Sequence, residues 1–260
     1  MVRGLYTAYT GMLNQQYRLD IITNNLANAS TTGYKREGST SIAFDDVLAV
    51  KVKDSSVGYV NQVIGDMSLG VKIGETYVDY SQGGFKETEN TYDLALEGNG
   101  FFSISFTSKS GETITKYTRD GSFITDAEGA LRTKDGDYVL SDTGAEIYIP
   151  TEATNVLVDE LGRIFADGEY VDTLGIVDFE DYNYLSKDTG ENYYVAVDGA
   201  TETEWTGKVN QGYLEMSNIN VVSEMVEMIE IARAYESNQK AIQTVDTMLE
   251  KSVNNVGRLA

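Results

Sequence analysis

Apolar side chains recur every seven residues at both ends of the chain. The N-terminal stripe consists of Leu5, Met12, Leu19 and Leu26. The C-terminal stripe is longer and consists of Val221, Met228, Tyr235, Ile242 and Leu249. A seven-residue repeat places its members on one face of an α-helix, so the pattern predicts a long helix at each end of the chain.

The apolar face of each helix needs a partner. A second row of the C-terminal repeat contains Ile231 and Val245, but Glu224 and Asn238 interrupt it, so the pattern predicts an imperfect coiled-coil-like contact. One interpretation is that each helix packs on its own domain. The other is a coiled coil between the two termini or between subunits.

Local signals mark the ends of both helices. Asn218 or Asn220 can cap the C-terminal helix, and Glu224 follows in the first turns, where a helix favours carboxylates. The N-terminal helix runs into an Asn- and Thr-rich turn, residues 28–33, and Gly33 is a natural left-handed stop.

The middle of the chain has the pattern of β structure. Turn dipeptides such as Asp120-Gly121 and Asp135-Gly136 separate short runs of aromatic and β-branched residues. Turns at this spacing are typical of an antiparallel, all-β domain. Residues 126–139 resemble residues 159–171, and a repeated hairpin is the simplest interpretation of this similarity.

These patterns predict a discontinuous α+β fold, with a mainly β middle and long terminal helices. We expect residues 1–44 to pair with residues 213–260 in a helical domain. Residues 45–74 are expected to form an extended connector, and residues 75–212 an antiparallel β domain.

The charge balance excludes several functions. The chain has 41 acidic and 20 basic residues, a net charge of −21, and the middle segment 51–212 contributes −18 of it. Such a field repels nucleic acids. The absence of Cys and His removes thiol nucleophiles, imidazole bases and the usual zinc ligands. No segment has the pattern of a calcium loop. We therefore predict no metal site, no cofactor and no small-molecule substrate.

Paired carboxylates are the remaining basis for an enzyme. Asp178 and Glu180 lie in an acidic cluster beside Tyr182 and Tyr184. Two such acids can hydrolyse a glycosidic bond, so a secreted carbohydrate-active enzyme is one alternative function. A soluble adhesin or surface-layer domain is another. We predict no catalytic residue, because clusters of acids arise by chance in so acidic a chain.

Four motifs, in order along nearly the whole chain, resemble those of the bacterial flagellar rod and hook axial proteins. They lie at residues 24–36, 93–102, 117–123 and 218–236. The first is similar to the N-terminal signature of the family, which here consists of Asn24, Asn25, Leu26, Asn28, Gly33, Tyr34, Lys35 and Arg36.

The resemblance implies a structural subunit that polymerises helically with itself and other rod and hook proteins into the flagellar drive shaft. It implies an inner tube of terminal helices, so the two stripes become the expected assembly interface. It also implies export through the flagellar type III apparatus, without a cleaved signal peptide, to the basal body. Phe44 and Leu48 resemble the export element of such substrates.

Within this family, residues 45–74 resemble the extra segment of distal rod subunits. That segment is associated with a straight, rigid shaft. Residues 75–92 are shorter than the distal-rod pattern, so a larger proximal rod subunit or a hook-type protein stays an alternative.

Overall fold

The computed structural model describes residues 2–51, 62–107, 111, 113–187 and 192–256. The chain divides into two compact units. The first, here called the helical unit, comprises Met1–Ala27, Glu37–Val78 and Asn220–Ala260. The second, the β unit, comprises Asn28–Arg36 and Asp79–Ile219. A mainly β middle between two terminal helices is therefore confirmed.

The helical unit contains both predicted helices, α1 (Val2–Ala27) and α2 (Val221–Lys251). A π-helical turn, Ser252–Val256, extends α2. Asn220 caps α2, because its side-chain oxygen accepts hydrogen bonds from the backbone N–H groups of Val222 and Ser223. Among the described residues, no helix is long and apolar enough to cross a membrane.

Two strand pairs complete the helical unit. The strands are β1 (Arg36–Ala43), β2 (Val47–Lys51), β3 (Gln62–Met67) and β4 (Val71–Asp79). Strand β1 pairs with β4, and β2 pairs antiparallel with β3. The segment predicted as an extended connector thus contains β2, β3 and the start of β4, although its residues 52–61 lie outside the described residues.

In its described residues, the β unit contains sixteen short strands. They are β5 (Phe85–Glu87), β6 (Leu94–Glu97), β7 (Phe101–Thr107), β8 (Thr113–Thr118), β9 (Phe123–Thr125), β10 (Leu131–Thr133), β11 (Tyr138–Val139), β12 (Val156–Val158), β13 (Arg163–Ala166), β14 (Glu169–Thr173), β15 (Ile176–Phe179), β16 (Leu185–Lys187), β17 (Tyr194–Ala196), β18 (Glu202–Glu204), β19 (Lys208–Gln211) and β20 (Tyr213–Glu215). A 3₁₀ turn, Tyr182–Tyr184, precedes β16.

These strands form antiparallel pairs. The largest sheet has the order β16-β17-β8-β7-β11-β10-β9, with β15 also on β7 and β18 on β15. Strands β12, β13 and β14 form a three-stranded sheet, while β19 pairs with β6 and β20 with β5. The core between them is built from side chains such as Phe102, Phe123, Ile147 and Ile164, which are almost completely buried.

The repeated hairpin is confirmed. Asp126 and Asp159 each begin a tight turn in which their carbonyl oxygens accept a hydrogen bond from the glycine three residues later. Each aspartate also forms an ion pair with an arginine of the following strand, Arg132 in the first copy and Arg163 in the second.

Two segments belong to a different unit from the one that the sequence pattern suggested. Residues 28–36 and 213–219 were grouped with the helices, but both lie in the β unit. The reason is that Gly33 donates a backbone hydrogen bond to Glu215, and β20 pairs with β5. The two predicted stripes end at Leu26 and begin at Val221, so they carry no information on the packing of either segment.

We expect the helical unit to unfold before the β unit. Among the described residues of the helical unit, the buried apolar side chains are Ala8, Ile22 and Ile231, too few to offset much conformational entropy. Heating should therefore remove the helical circular dichroism signal, which comes from α1 and α2, before the fluorescence of Trp205 changes. Coincident transitions of the two probes would contradict this expectation.

Candidate assembly site

The two terminal helices run antiparallel to each other. Arg18 of α1 forms an ion pair of 2.9 Å with Glu227 of α2. Seven residues further along α1, Asn25 donates a hydrogen bond of 3.3 Å to Glu224, which precedes Glu227. Ascending positions of α1 therefore meet descending positions of α2, which is the geometry of an antiparallel helical pair.

Polar residues of α2 that lie between the two helices contact polar or small residues of α1. Glu224 is buried and bonded to Asn25. Asn238 lies against Gly11, where an added Cβ would be 3.1 Å from the Asn238 amide nitrogen. The sequence pattern predicts that these two residues interrupt an apolar row, whereas the row that contains them, with Ile231 between them, faces α1.

The predicted stripes flank this central row. Their half-buried members are Leu5, Met12, Leu19, Leu26, Met228, Tyr235 and Ile242, whereas Val221 and Leu249 are exposed. The structure therefore places most of the predicted interface residues along the intramolecular helix pair. Their role in contacts between subunits stays a prediction.

Both helices carry a second apolar stripe. On α1 it consists of Tyr6, Tyr9, Leu13 and Tyr17, whose exposed fractions range from 38% to 57%. At 3.6 residues per turn, these positions lie opposite the buried Ala8 and Ile22. We call them the α1 outer stripe.

The corresponding face of α2 is aliphatic. The α2 outer stripe consists of Val222, Met225, Val226 and Ile229, all at least half exposed. It lies opposite Glu224 and Ile231 on the helix. Contiguous exposed apolar surface on a protein of this size marks an interaction site.

A shallow groove of about 640 Å³ follows the side of α2. Val222 and Val226 of the α2 outer stripe line it, together with Arg18 and Glu227. The groove gives the stripe a concave border, into which apolar side chains of another helix can insert.

The signature residue Asn25 fixes the end of α1. Its side chain is completely buried, donates to the carbonyl oxygen of Glu37 at 2.8 Å and accepts from the N–H of Glu37 at 3.0 Å. Its amide therefore joins α1 to the start of β1, and through Glu224 to α2. The neighbouring Asn24 is exposed and Leu26 half-buried.

The next signature residues belong to the β unit. Asn28 closes a turn with Thr31, whose backbone N–H it accepts at 3.1 Å. Gly33 has φ +66°, and a Cβ added to it would lie 2.4 Å from the backbone of Arg119 and Asp120. Tyr34 is buried, with the Lys187 ammonium 3.8 Å from the centre of its ring.

Lys35, Arg119 and Glu215 form a buried ionic cluster, which we call the Glu215 cluster. Their side chains are exposed by no more than 3%. One carboxylate oxygen of Glu215 lies 2.7 Å from the Lys35 ammonium, and the other 3.2 Å from Arg119 Nη1. Burial lowers the pKa of Lys35, and the charge of Glu215 partly offsets this effect.

Arg36 ends the signature through its backbone. Its N–H donates to the side-chain oxygen of Asn218 at 2.8 Å, and the Asn218 amide donates to Asp79 and Ser81 carbonyl oxygens. Sequence reasoning missed the roles of Glu215 and Asn218. A signal for the former existed, since Glu215 is a lone charge between Leu214 and Met216.

The predicted export element lies in the helical unit. Phe44 is exposed, and the Lys72 ammonium lies 5.9 Å from the centre of its ring. Leu48 lies in β2 opposite Asp66. Nothing in this geometry tests a role in export, which stays a prediction.

The acidic cluster around Asp178 is occupied by local hydrogen bonds. Asp178 accepts from the Tyr182 hydroxyl at 2.6 Å and from the N–H of Phe179. Burial raises the pKa of Tyr182, and the hydrogen bond to Asp178 adds to this effect. Glu180 is exposed. Within the described parts of the chain, no acidic residues group in a way that could hold a metal ion.

Comparison with known proteins identifies the family. Three family models match: "Flagella basal body rod protein" on residues 5–35, "Flagellar hook protein FlgE/F/G D1 domain" on residues 95–166, and "Flagellar basal body rod FlgEFG protein C-terminal" on residues 210–256. The chain is 34% identical to the flagellar basal-body rod protein FlgG of Bacillus subtilis, over 98% of this chain and 99% of that protein. The chain belongs to the flagellar basal-body rod family.

Other rod-family relatives cover the chain equally well. It is 32% identical to the flagellar basal-body rod protein FlgF of Caulobacter vibrioides, and 30% identical to the flagellar hook-basal body complex protein FlhO of Bacillus subtilis, each over the full length of both chains. The predicted resemblance is confirmed. A rod-family protein is a structural subunit of the flagellar basal body that assembles with other rod and hook proteins.

Proposed function

We propose that this rod-family protein is a distal-rod-type subunit that polymerises helically with itself and transmits torque through the resulting shaft. The observation that carries the proposal is the presence of two exposed apolar stripes on the outer faces of a helical pair. One stripe is largely aromatic and the other aliphatic, so each can cover the other in a neighbouring copy.

Contact between two different surfaces generates an open polymer. If the α1 outer stripe of one copy packs on the α2 outer stripe of the next, only the copy at each end of the assembly retains a free stripe. Such a heterologous contact extends into a helix unless its rotation closes a ring. A structural subunit of a shaft requires this property.

The charge distribution supports contact through the helices. Residues 1–50 have no net charge and residues 213–260 have −3, against −18 for the middle segment. Copies that approach through their terminal helices therefore meet little electrostatic repulsion, whereas their β units repel one another. In this proposal the chain functions through contacts and has no catalytic role.

The export route and the subtype of the subunit are part of the proposal. We propose that the chain leaves through the flagellar type III apparatus, with Phe44 and Leu48 as its export element, and reaches the basal body. The segment 45–74, whose described residues include the β2–β3 pair, supports a distal-rod type. A larger proximal rod subunit is the second candidate, because residues 75–92 are shorter than the distal-rod pattern.

Disulfide cross-linking tests the proposed contact, because the chain has no cysteine. We expect Tyr9→Cys protein mixed with Val226→Cys protein to form a covalent dimer under polymerising conditions, at least tenfold more than either variant alone. The matched control mixes Tyr9→Cys with Glu204→Cys, an exposed position in the β unit. Equal cross-linking in the control mixture, or a stronger Tyr9→Cys homodimer, would contradict the proposed pairing.

A further inference from the structure

The Glu215 cluster connects distant parts of the β unit through one carboxylate. Besides Lys35 and Arg119, the carboxylate of Glu215 accepts the backbone N–H of Gly83 at 2.9 Å. Lys35 donates in addition to the carbonyl oxygen of Ser81 at 2.8 Å, and Arg119 to that of Gly98 at 2.8 Å. A single side chain therefore contacts the signature, the segment after β4 and the third sequence motif.

Water cannot reach this cluster to solvate a charge that has lost its partner. With two cations and one anion, each nearly inaccessible to solvent, loss of the anion leaves two uncompensated charges in the interior. Removing one partner of a buried ion pair is strongly destabilising, whereas replacing the entire group by apolar residues of similar volume is often neutral. Loss of Glu215 without loss of the two cations is therefore expected to destabilise the cluster.

The other contacts of the 28–36 segment are weaker anchors. Thr32 donates to Asp120 at 2.8 Å, and its carbonyl oxygen accepts from Asn192 at 3.0 Å. These groups are only partly buried, so water can take the place of either partner at small cost. Tyr34 adds apolar burial and a cation–π contact of 3.8 Å with Lys187, which is worth less than a buried ion pair.

We infer that Glu215 is the positioning residue that holds the family signature in the β unit, with Lys35 as its counterpart. Residues 28–36 dock only while the Glu215 carboxylate neutralises Lys35 and Arg119. The signature thus depends on the C-terminal part of the chain for its conformation, and this dependence is separate from the proposed contact between subunits.

Hydrogen exchange of the full-length protein tests this inference. We expect Glu215→Gln, which keeps the size of the side chain and removes its charge, to raise the exchange rate of the amides in residues 28–36 roughly a hundredfold. Trypsin should cleave after Lys35 or Arg36 faster by a similar factor. The matched control is Glu87→Gln on β5, an exposed glutamate that pairs with β20 and should change neither rate.

A compensated variant separates the loss of charge pairing from general damage. Replacing the whole cluster, with Lys35→Met, Arg119→Met and Glu215→Leu together, should return protection of residues 28–36 to within about tenfold of the wild type. The amides of β7 report on the rest of the unit. If Glu215→Gln also exposes β7, recovery of both segments in the triple variant still supports the inference.

Two results would overturn it. The first is unchanged protection of residues 28–36 in Glu215→Gln, which would mean that the remaining contacts are sufficient. The second is a triple variant as unprotected as Glu215→Gln, which would mean that shape, and not charge neutralisation, positions the signature.

Discussion

Gly33→Ala is expected to lower the free energy of unfolding of the β unit by about 3 kcal/mol. Two costs add. An alanine at φ +66° adopts a left-handed conformation that L-residues disfavour, and its Cβ would lie 2.4 Å from the backbone of Arg119 and Asp120. Since a backbone cannot rotate away as a side chain can, the 28–36 segment must move.

Denaturant unfolding followed by fluorescence measures this effect, because Trp205 is the only tryptophan of the chain and packs against the core of the β unit. The control is Gly84→Ala in the same unit, where an added Cβ meets no atom within 4 Å. The control should stay within about 0.5 kcal/mol of the wild type. Similar denaturant midpoints of unfolding for Gly33→Ala and Gly84→Ala would show that the chain tolerates a side chain at position 33 beside residues 119–120.

A charge in the α1 outer stripe is expected to abolish polymerisation. Tyr9→Asp would place an unpaired carboxylate in an apolar contact that recurs in every subunit. We expect the critical concentration for polymer formation to rise at least a hundredfold, and swimming to stop in cells that carry only this variant. Because Tyr9 is 51% exposed, the folded chain should be unaffected.

Sedimentation of polymer over a concentration series provides the measurement, and Tyr9→Phe is the conservative control. A second change gives a rescue. Val226→Lys on the α2 outer stripe, combined with Tyr9→Asp, should recover part of the assembly by pairing the two charges across the contact. Normal polymerisation of Tyr9→Asp would disprove a role for the α1 outer stripe. A half-buried position such as Tyr235 is less informative, since a charge there also disturbs the intramolecular helix pair.

The features predicted from sequence are those determined by neighbouring residues. The seven-residue repeats identified both helices, because the period of a helix is local. The paired turns at Asp126 and Asp159 were found for the same reason, since the turn type depends on a few adjacent residues.

The misinterpreted residues are polar groups whose partners are far away in the chain. Glu224 and Asn238 looked like defects in an apolar row, yet each lies against α1, about 200 positions earlier. Lys35 and Glu215 are 180 residues apart, so no window of sequence contains both. A polar residue within an apolar pattern indicates a buried polar contact. Its partner is identified only in the folded structure.

The separation between Lys35 and Glu215 also sets an order of events for a chain that emerges with its N-terminus first. The lysine leaves the ribosome, or any narrow conduit, long before its counter-ion does. Until then the ammonium has no buried carboxylate to receive it and stays hydrated, so the β unit cannot close over residues 28–36. Folding of this unit is therefore timed by Glu215, the last acidic residue of the unit to arrive, and an incomplete chain stays accessible to proteases.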